Sequence, residues 1–579
     1  MHRFEVWAPH AARVEVAVRG ARHPLVRGAD DVWAATVDAA PGDDYAFHLD
    51  GGPPLPDPRS PWQPAGVHGP SRLVDHAAFP WTDAGWRGAP LAHAVLYELH
   101  VGTFTPDGTF EAAIVRLPHL VDLGVTAVEL LPVAEFPGTR GWGYDGVDLF
   151  APHHAYGGPA GLKRLVDACH AHGLAVVMDV VYNHLGPDGN YLPSYGPYFT
   201  DRHRTPWGEA VNFDGPGSDQ VRGFVVENAT MWLRDYHGDG LRLDAVHAIV
   251  DTSARHVLEE IAVAVGRLAA HLGRTCWVIA ESDLNDPRLV RAREAGGYGL
   301  DAQWSDDFHH ALHAVLTGER DGYYADFGRL ADVATALRQA YVYAGRRSRH
   351  RGRRHGRPPI GLDADRFLGF VQNHDQVGNR ATGERLSMLA GVGRQKVAAA
   401  LVLTAPFVPL LFQGEEWGAR TPFLYFTDHG DPALAAAVRD GRRREFAAFG
   451  WAPERIPDPQ ADETWRRSRL DWAEPARPPH AEVLAWYRAL LRLRRDTPAL
   501  GAGRWDELRA ACDERAGTLV VDRGPVTIAA NVGRAPATVP LGPGRPAAIR
   551  LASDPACTCD AGSLRLPPDS VAILAPPDR

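Results

Sequence analysis

Cysteine and methionine are scarce in this sequence, and no long apolar run interrupts it. Five cysteines and four methionines occur among 579 residues. The cysteines are scattered and odd in number, which argues against a disulfide framework, and Cys557 and Cys559 alone are too few for a zinc site. No stretch approaches the ~20 apolar residues that cross a bilayer, and no apolar signal segment follows Met1. We therefore expect free thiols, no membrane partner and a cytoplasmic location.

The sequence also lacks an excess of positive charge. Lysine and arginine number 61 against 71 acidic residues, so the formal net charge is -10. Nucleic acids and anionic membranes bind basic surfaces, so neither is an expected partner, and a neutral substrate fits better. No glycine-rich loop followed by lysine is present to cradle a phosphate. An arginine-rich run at 346–357 is the local exception, and it is predicted to be a mobile, solvated loop.

Short apolar runs alternate with helical patterns through the middle of the chain. Eight runs have the length and composition of buried strands, and they lie at 95–100, 127–133, 174–181, 240–246, 277–281, 300–304, 368–371 and 408–412. Eight strand and helix units predict an α/β fold in which the strands close into a (β/α)8 TIM barrel. An insertion at about 185–219 is expected to lie over the catalytic face, because active sites of such barrels form at the C-terminal strand ends.

The two ends of the chain have a sequence pattern that differs from that of the barrel region. Short β segments separated by proline and glycine turns precede the barrel and return after it. This pattern predicts an N-terminal β-sandwich of the carbohydrate-binding kind at 1–85 and the catalytic barrel at 86–485. A helical lead-in and a C-terminal antiparallel β-sandwich are predicted at 486–579.

Three of the predicted strands end in carboxylates. Arg242 and Asp244 lie two residues apart and so on one face of their strand, Glu281 ends the next strand, and Asp375 follows the seventh. Glycosidic bond cleavage needs one carboxylic acid to protonate the leaving oxygen and one carboxylate on the other side of the sugar. Arg242 would keep Asp244 ionised, as a nucleophile needs, whereas the more apolar run before Glu281 would favour a protonated acid.

Four segments that carry these residues resemble the signature regions of the α-amylase superfamily. They read DVVYNH (179–184), GLRLDAVH (240–247), AES (280–282) and NHD (373–375). The resemblance implies Asp244 as nucleophile, Glu281 as acid and base, and Asp375 as a ligand of ring hydroxyls that favours the distorted sugar. It also implies partners around the cleaved sugar, namely Arg242, His184, His374 and Tyr144. Trp142 is a further candidate, because its ring could stack against a pyranose.

Further segments resemble one branch of that superfamily, whose members release trehalose from malto-oligosyltrehalose. They read YELHVGTF (97–104), WGEAVNFD (207–214), AESDLND (280–286) and QNHDQVGNR (372–380). The resemblance implies a retaining hydrolase that cuts the α-1,4 bond next to the terminal trehalose. Malto-oligosyltrehalose is then the expected partner, and the further expected substrate contacts are His100, His247, Trp207, Asp283, Asp306, Phe308, His309 and Arg380.

Other interpretations start from the same residues. A glycogen branching or debranching enzyme of the superfamily would share the carboxylates, but branching enzymes typically carry a second glutamate where Ser282 follows Glu281. An inactive glucan-binding homologue would usually lose a carboxylate. His309 and His313 share a helical face but lack the acidic partner of a zincin site, so no metal and no cofactor are expected. Asn183 matches a calcium-binding position of many α-amylases, and a calcium requirement stays open.

Overall fold

Two small antiparallel sheets open the chain in the computed structural model, which describes residues 1–447, 455–501, 503–542, 548–560 and 562–575. The sheets have the strand orders β1-β5-β4 and β3-β2-β6-β7. Apolar side chains alternate along β2 and face a shared core, as expected for strands with one solvated face. The strands are β1 (His2–Trp7), β2 (Val14–Val18), β3 (Ala21–Pro24), β4 (Val26–Arg27), β5 (Val32–Val37), β6 (Asp44–Leu49) and β7 (Ser71–Arg72).

A closed barrel of eight parallel strands follows, in the order β12-β15-β16-β17-β18-β19-β8-β9. Each of the eight predicted apolar runs supplies one of these strands, so the predicted TIM barrel is confirmed. The strands of this region are β8 (Leu96–Leu99), β9 (Ala127–Leu130), β10 (Ala134–Glu135), β11 (Asp148–Pro152), β12 (Ala175–Val180), β13 (Phe199–Thr205), β14 (Gly208–Val211), β15 (Gly240–Leu243), β16 (Trp277–Ala280), β17 (Ala302–Trp304), β18 (Phe367–Gly369) and β19 (Val408–Phe412).

Helices cover the outside of the barrel and bury their apolar faces against it. None of the helices in the described ranges is both long and apolar enough to cross a lipid bilayer. The helices are α1 (Val101–Phe104), α2 (Phe110–Ile114), α3 (Leu117–Leu123), α4 (Gly158–Ala171), α5 (Leu192–Tyr195), α6 (Ser218–Arg234), α7 (Val257–Leu272), α8 (Asp306–Thr317), α9 (Leu330–Gln339), α10 (His374–Gly378), α11 (Leu386–Leu389), α12 (Val392–Leu403), α13 (Pro432–Ala447), α14 (Asp462–Arg467), α15 (His480–Asp496) and α16 (Pro498–Gly501).

Side-chain parity explains how charged groups come to lie inside the barrel. Val177 and Ile279 pack in the apolar layer that fills its lower part. Asp179 lies two residues after Val177 and therefore points to the same side of β12. It pairs in register with Arg242 of β15, so both charges are placed inside, at the C-terminal end of the barrel.

Two antiparallel sheets close the chain, with strand orders β20-β21-β22-β27-β24 and β23-β26-β25. They agree with the predicted C-terminal sandwich and lie against the barrel helices α9 and α12. The strands are β20 (Leu508–Asp513), β21 (Thr518–Arg523), β22 (Val526–Asn531), β23 (Ala537–Pro540), β24 (Ile549–Ala552), β25 (Thr558–Asp560), β26 (Ser563–Leu566) and β27 (Ser570–Leu574).

The insertion after β12 forms a short helix and a hairpin, α5 and β13–β14. It is anchored to the N-terminal sheets, because the Tyr195 hydroxyl donates to the carbonyl of Pro56 at 2.7 Å. The ring of Trp7 also meets Tyr198 edge-on, with centroids 5.2 Å apart. The N-terminal sheets therefore support the loop that was expected to lie over the catalytic face.

The arginine-rich run is solvated over most of its length, as expected, but it is also bonded to the rest of the protein at several points. Arg347 and Arg354 form a β-bridge, and Ser348 and His355 are buried. Ser348 donates to the Asp326 carboxylate at 2.6 Å, and the His355 ring nitrogen Nε2 donates to the carbonyl of Asp283 at 2.7 Å. These bonds were not expected, because composition reports charge but not the acidic partners that the fold supplies from elsewhere.

We expect Arg494 to fasten the C-terminal part of α15 to the barrel. Its buried guanidinium donates hydrogen bonds of 2.9 to 3.1 Å to the carbonyls of Leu403, Ala405 and Phe407. Arg494→Met would leave the carbonyls of Leu403 and Phe407 without this donor, whereas Ala405 would keep its bond from Arg523, and it should lower the free energy of unfolding by about 3 kcal/mol. The matched control is Arg495→Met, since Arg495 is exposed and pairs only with neighbouring Asp496 among the described contacts. Equal denaturant midpoints for both variants would contradict this role.

Candidate active site

The site is built around the guanidinium of Arg242. This side chain is fully buried at the C-terminal end of the barrel. Its Nη1 lies 2.8 Å from Oδ1 of Asp179 and 2.8 Å from Oδ1 of Asp244, and its Nη2 lies 3.1 Å from Oε2 of Glu281. Its charged carbon also lies 4.4 Å from the ring centroid of Trp304. One buried cation therefore touches carboxylates from three neighbouring strands, which keeps them close together despite their like charges.

Asp244 is held ionised. Burial by itself would raise its pKa, but Arg242, His184 and a hydrogen bond from Asn183 together leave the pKa below its ordinary value. The Asn183 amide donates to Oδ2 of Asp244 at 2.6 Å, while Arg242 contacts Oδ1. Two fixed donors on two oxygens also orient the carboxylate, as a nucleophile needs.

The backbone directly after Asp244 is strained. Ala245 has φ 37° and ψ 50°, a left-handed conformation that costs energy for a residue with a Cβ. Its N–H donates to Oε2 of Glu281 at 2.6 Å. The strained turn thus joins the end of the Asp244 strand to the second carboxyl group.

Glu281 has the opposite electrostatic character. Burial raises its pKa to about 8, because the stabilising contact with Arg242 is offset by the like charges of Asp244 and Asp375. The group is therefore protonated at neutral pH and able to donate a proton. The expected division between an ionised Asp244 and a protonated Glu281 agrees with these opposite pKa shifts.

A chain of hydrogen bonds begins at Asp179, which shares Nη1 of Arg242 with Asp244. The Tyr144 hydroxyl donates its single proton to Oδ2 of Asp179 at 2.6 Å, so it must accept at 2.8 Å from Nε2 of His374. The Nδ1 of His374 faces the buried Glu98 carboxylate at 2.5 Å. With both ring nitrogens donating, His374 is an imidazolium, and Glu98 raises its pKa against the opposing effect of burial.

A cavity of about 260 Å³ opens beside Glu281. Asp375 lies in its wall at the first turn of α10, where its Oδ1 accepts from Asn379 at 2.7 Å. The lining is polar, with carboxylates, imidazoles and one guanidinium, as suits a ligand rich in hydroxyl groups. Its residues are His247, Glu281, Asp283, Asp306, His310, Tyr323, His350, Arg351, Asp375, Gln376 and Asn379.

Five of the expected site residues line this cavity, namely His247, Glu281, Asp283, Asp306 and Asp375. Asp244 lies beside Glu281 on Arg242, whereas three expected substrate contacts are buried inside the protein. Phe308 is fully buried and packs against Phe407 at 5.1 Å between ring centroids. His309 is also fully buried and bonds to the carbonyl of Val371 at 2.7 Å. His100 is buried beneath the site, where its Nε2 faces the carbonyl of Gly141 at 2.8 Å. These three side chains were predicted to contact the substrate, but each of them points into the protein instead.

Three other expected residues lie at the edge of the site. Trp207 at the hairpin tip is half exposed and stacks on His184 with ring centroids 4.4 Å apart. Trp142 is buried against His374 at 5.7 Å and donates to the carbonyl of Leu424. Arg380 forms a two-pronged pair with Glu319 at 2.8 and 2.9 Å. Arg380 is therefore used within the protein, whereas Trp207 presents an aromatic face.

The histidines of α8 are occupied by protein partners. His313 bonds Glu319 at 2.7 Å, and His309 faces the Tyr324 hydroxyl at 2.9 Å. Within the described ranges, the group of side chains close enough to share a metal ion is a different one, Glu135 with His153 and His154. Both histidines already hydrogen-bond that carboxylate. Both polar atoms of the Asn183 side chain have protein partners, since Nδ2 donates to Asp244 and Oδ1 accepts from Nδ1 of His184.

Several residues of the site were not singled out from the sequence. Asp179 and Glu98 lie on the same strand faces as buried apolar residues. Whether they reach Arg242 and His374 depends on the register between strands. His350 and Arg351 belong to the arginine-rich run, which was interpreted as a whole from its composition, so neither residue was considered separately. Tyr323 and His310 reach the cavity from the region after β17. The only sequence signal for Asp179 was its place in the DVVYNH segment.

Fold and site together define a glycoside hydrolase of the α-amylase type. The model of the alpha amylase catalytic domain matches residues 81–196. A solved structure described as a putative alpha amylase from Salmonella typhimurium superposes with a TM-score of 0.91 at 41% identity, and the match covers 99% of this chain and 97% of that one.

Closer agreement comes from curated relatives. Malto-oligosyltrehalose trehalohydrolase of Arthrobacter ramosus is 53% identical over 547 residues, which cover 93% of this chain and 94% of that protein. The protein of the same name from Rhizobium sp. is 50% identical over 99% of this chain and 97% of its own length. The chain belongs to the malto-oligosyltrehalose trehalohydrolase family.

The two pKa shifts predict a bell-shaped pH profile of kcat/KM. Glu281 must be protonated, so activity should be present below and lost above its pKa of about 8. Asp244 must be ionised, so activity should fall only as the pH drops through a pKa that lies below the ordinary 3.8. Initial rates between pH 3 and pH 10, with circular dichroism to monitor folding, would measure both limbs. A flat profile above pH 7 would contradict the assignment of Glu281 as acid.

Proposed function

We propose that this chain is a retaining glycoside hydrolase that cleaves the α-1,4 bond next to the terminal trehalose of malto-oligosyltrehalose. The products are free trehalose and a malto-oligosaccharide. The observation that carries the proposal is the unlike pair of carboxyl groups on one guanidinium, with Asp244 ionised and Glu281 protonated. Membership of the trehalohydrolase family supports the choice of bond.

The first chemical step needs both groups at once. Asp244 attacks the anomeric carbon while Glu281 gives its proton to the departing glycosidic oxygen, so trehalose leaves as a neutral alcohol and a glycosyl ester forms on Asp244. Arg242 remains between the two carboxyl groups throughout. The proximity of both groups to one guanidinium favours the short separation of a double displacement over the wider one of direct water attack.

The second step follows from a change of charge. Once Asp244 is esterified it carries no charge, so its raising effect on the pKa of Glu281 disappears. The carboxylate of Glu281 then takes a proton from water, and the hydroxide formed displaces Asp244 from the sugar. Two inversions restore the α configuration, and Glu281 returns to its protonated state.

The remaining residues have proposed roles around the cleaved sugar. We assign Asp375, in the cavity wall, to ring hydroxyls of the distorted sugar. Arg242, His184, His374, Tyr144 and Trp142 shape and support the site of the reacting ring. His247, Asp283 and Asp306 line the cavity next to Glu281, and Trp207 offers a stacking face at the rim.

A branching enzyme of the same superfamily is the main alternative. It would transfer the glucan from Asp244 to a sugar hydroxyl instead of water. Ser282 follows the acid where branching enzymes typically carry a second glutamate, and this favours hydrolysis. An inactive glucan-binding homologue is disfavoured because all three carboxylates are present.

The wider setting is also a proposal. We infer a cytoplasmic enzyme without a nucleic-acid or membrane partner, in keeping with the net charge of -10. We propose the domain division 1–85, 86–485 and 486–579, in which the first domain supports the insertion over the site. No cofactor is required by the two-carboxylate chemistry.

Replacement of either carboxyl group should abolish turnover without unfolding the protein. Asp244→Asn and Glu281→Gln should each lower kcat about a thousandfold or more, because each removes a charge or proton that the transition state requires. On an aryl glycoside, whose leaving group needs no proton, Glu281→Gln should regain activity and Asp244→Asn should not. Exposed Glu294→Gln is the control. Equal recovery of both variants would contradict the division of roles.

Product analysis tests the bond and the stereochemistry. Maltotriosyltrehalose should give equimolar trehalose and maltotriose by chromatography. NMR during the first turnovers should show the new reducing end as the α anomer, since two inversions occur at one carbon. Release of glucose or maltose without trehalose would contradict the proposed bond, and an initial β anomer would contradict the double displacement.

A further inference from the structure

The arginine-rich run has a fixed structure that the catalytic roles above do not use. We call residues 346–357 the arginine loop. The carboxylate of Asp326 anchors its first half, since it accepts from the Ser348 hydroxyl at 2.6 Å and from the backbone N–H groups of Arg349 and His350 at 3.0 and 3.2 Å. The Tyr343 hydroxyl donates to the same carboxylate at 2.6 Å. The loop is therefore held in one conformation by groups outside it.

A second anchor joins the loop to the segment that follows Glu281. Arg351 donates to Oδ2 of Asp283 at 2.8 Å, and His355 donates to the backbone carbonyl of the same residue at 2.7 Å. The N–H of Arg357 donates to the carbonyl of Asn285 at 3.0 Å. The arginine loop and the loop after the acid thus form one continuous wall.

That wall faces the cavity. His350 and Arg351 line it together with Glu281 and Asp283. The bond to Asp283 uses one of the five N–H donors of Arg351, and 21% of its side chain remains accessible. The planar guanidinium is positioned by one carboxylate and still offers donors to a ligand.

The position of this wall relative to the reacting bond identifies what it contacts. Glu281 acts on the leaving oxygen, so the groups beyond it belong to the leaving-group side. Asp179 and Asp244 contact Nη1 of Arg242, whereas Glu281 contacts Nη2, so the sugar that becomes attached to Asp244 is assigned to the Nη1 side. Asp283 and Arg351 extend from the Glu281 side and therefore face the leaving group.

We propose that Arg351, positioned by Asp283, is a specificity-determining residue that binds hydroxyl groups of the departing trehalose. The proposal rests on the proposed function and adds the residue that selects the leaving group. Trehalose is compact, bent at its α,α-1,1 linkage and rich in hydroxyls, so a fixed fork of charged donors can bind neighbouring hydroxyls of its outer ring. A maltosyl unit bends differently and presents other atoms to the same fork.

The test compares two substrates of five glucose units. Arg351→Met keeps an unbranched apolar stem but removes the guanidinium donors, and exposed Arg353→Met is the matched control because Arg353 belongs to the same loop but not to the cavity wall. For Arg351→Met, kcat/KM on maltotriosyltrehalose should fall about thirtyfold, as expected for loss of a charge-assisted hydrogen bond. On maltopentaose, the same substitution should lower kcat/KM by about threefold at most. The inhibition constant of added trehalose should rise about tenfold or more.

Each result decides the proposal. Equal losses on both substrates, or an unchanged trehalose inhibition constant, would overturn it, since Arg351 would then act through the fold or through Glu281. If Arg351→Met does not fold, Arg351→Lys decides: it retains a charge for Asp283 but lacks the fork, so the ratio of the two substrates must still shift. Wild-type enzyme that releases no trehalose would instead reject the proposed function itself.

Discussion

A single buried guanidinium determines the electrostatics of the active site. Arg242 is enclosed by the barrel and contacts Asp179, Asp244 and Glu281. Without that cation, three carboxyl groups at neighbouring strand ends would repel one another and take up protons. With it, one stays ionised and another stays protonated. The pKa values of nucleophile and acid differ because Arg242, His184 and Asn183 outweigh burial at Asp244, whereas burial and the like charges of Asp244 and Asp375 outweigh Arg242 and the Ala245 N–H at Glu281.

The barrel strands carry the catalytic carboxyl groups, and elements outside the strands form the walls of the substrate site. The hairpin with Trp207 is supported by the N-terminal sheets through Tyr195 and Trp7. The wall on the Glu281 side comes from residues 346–357, which are fixed by Asp326 and Asp283. Catalysis and substrate choice are therefore carried by different parts of the fold, as is common in barrels of this class.

The sequence predicted the barrel well, because apolar strand runs and their carboxylate ends are local signals. All eight runs became barrel strands. The ionised Asp244 was predicted from Arg242, which lies two residues before it, and the protonated Glu281 from the apolar run that precedes it. Phe308, His309 and His100 were misplaced, since helical rotation and loop entry angle decide whether a side chain faces a cavity. Arg351 was missed because its partner Asp283 is 68 residues away, and no local pattern reports such a pairing.

The anchoring of the loop has a consequence for how this enzyme can diverge. Asp326 holds it mainly through backbone N–H groups, and His355 binds a backbone carbonyl. The side chains of Ser348, Arg351 and His355 also take part in the attachment, but the other side chains of the loop can be exchanged without loss of these anchors. Selectivity for the departing sugar can therefore drift while the rate-setting carboxylates stay unchanged. A few substitutions in the arginine loop could therefore let the enzyme release a different leaving group, while the barrel keeps its fold.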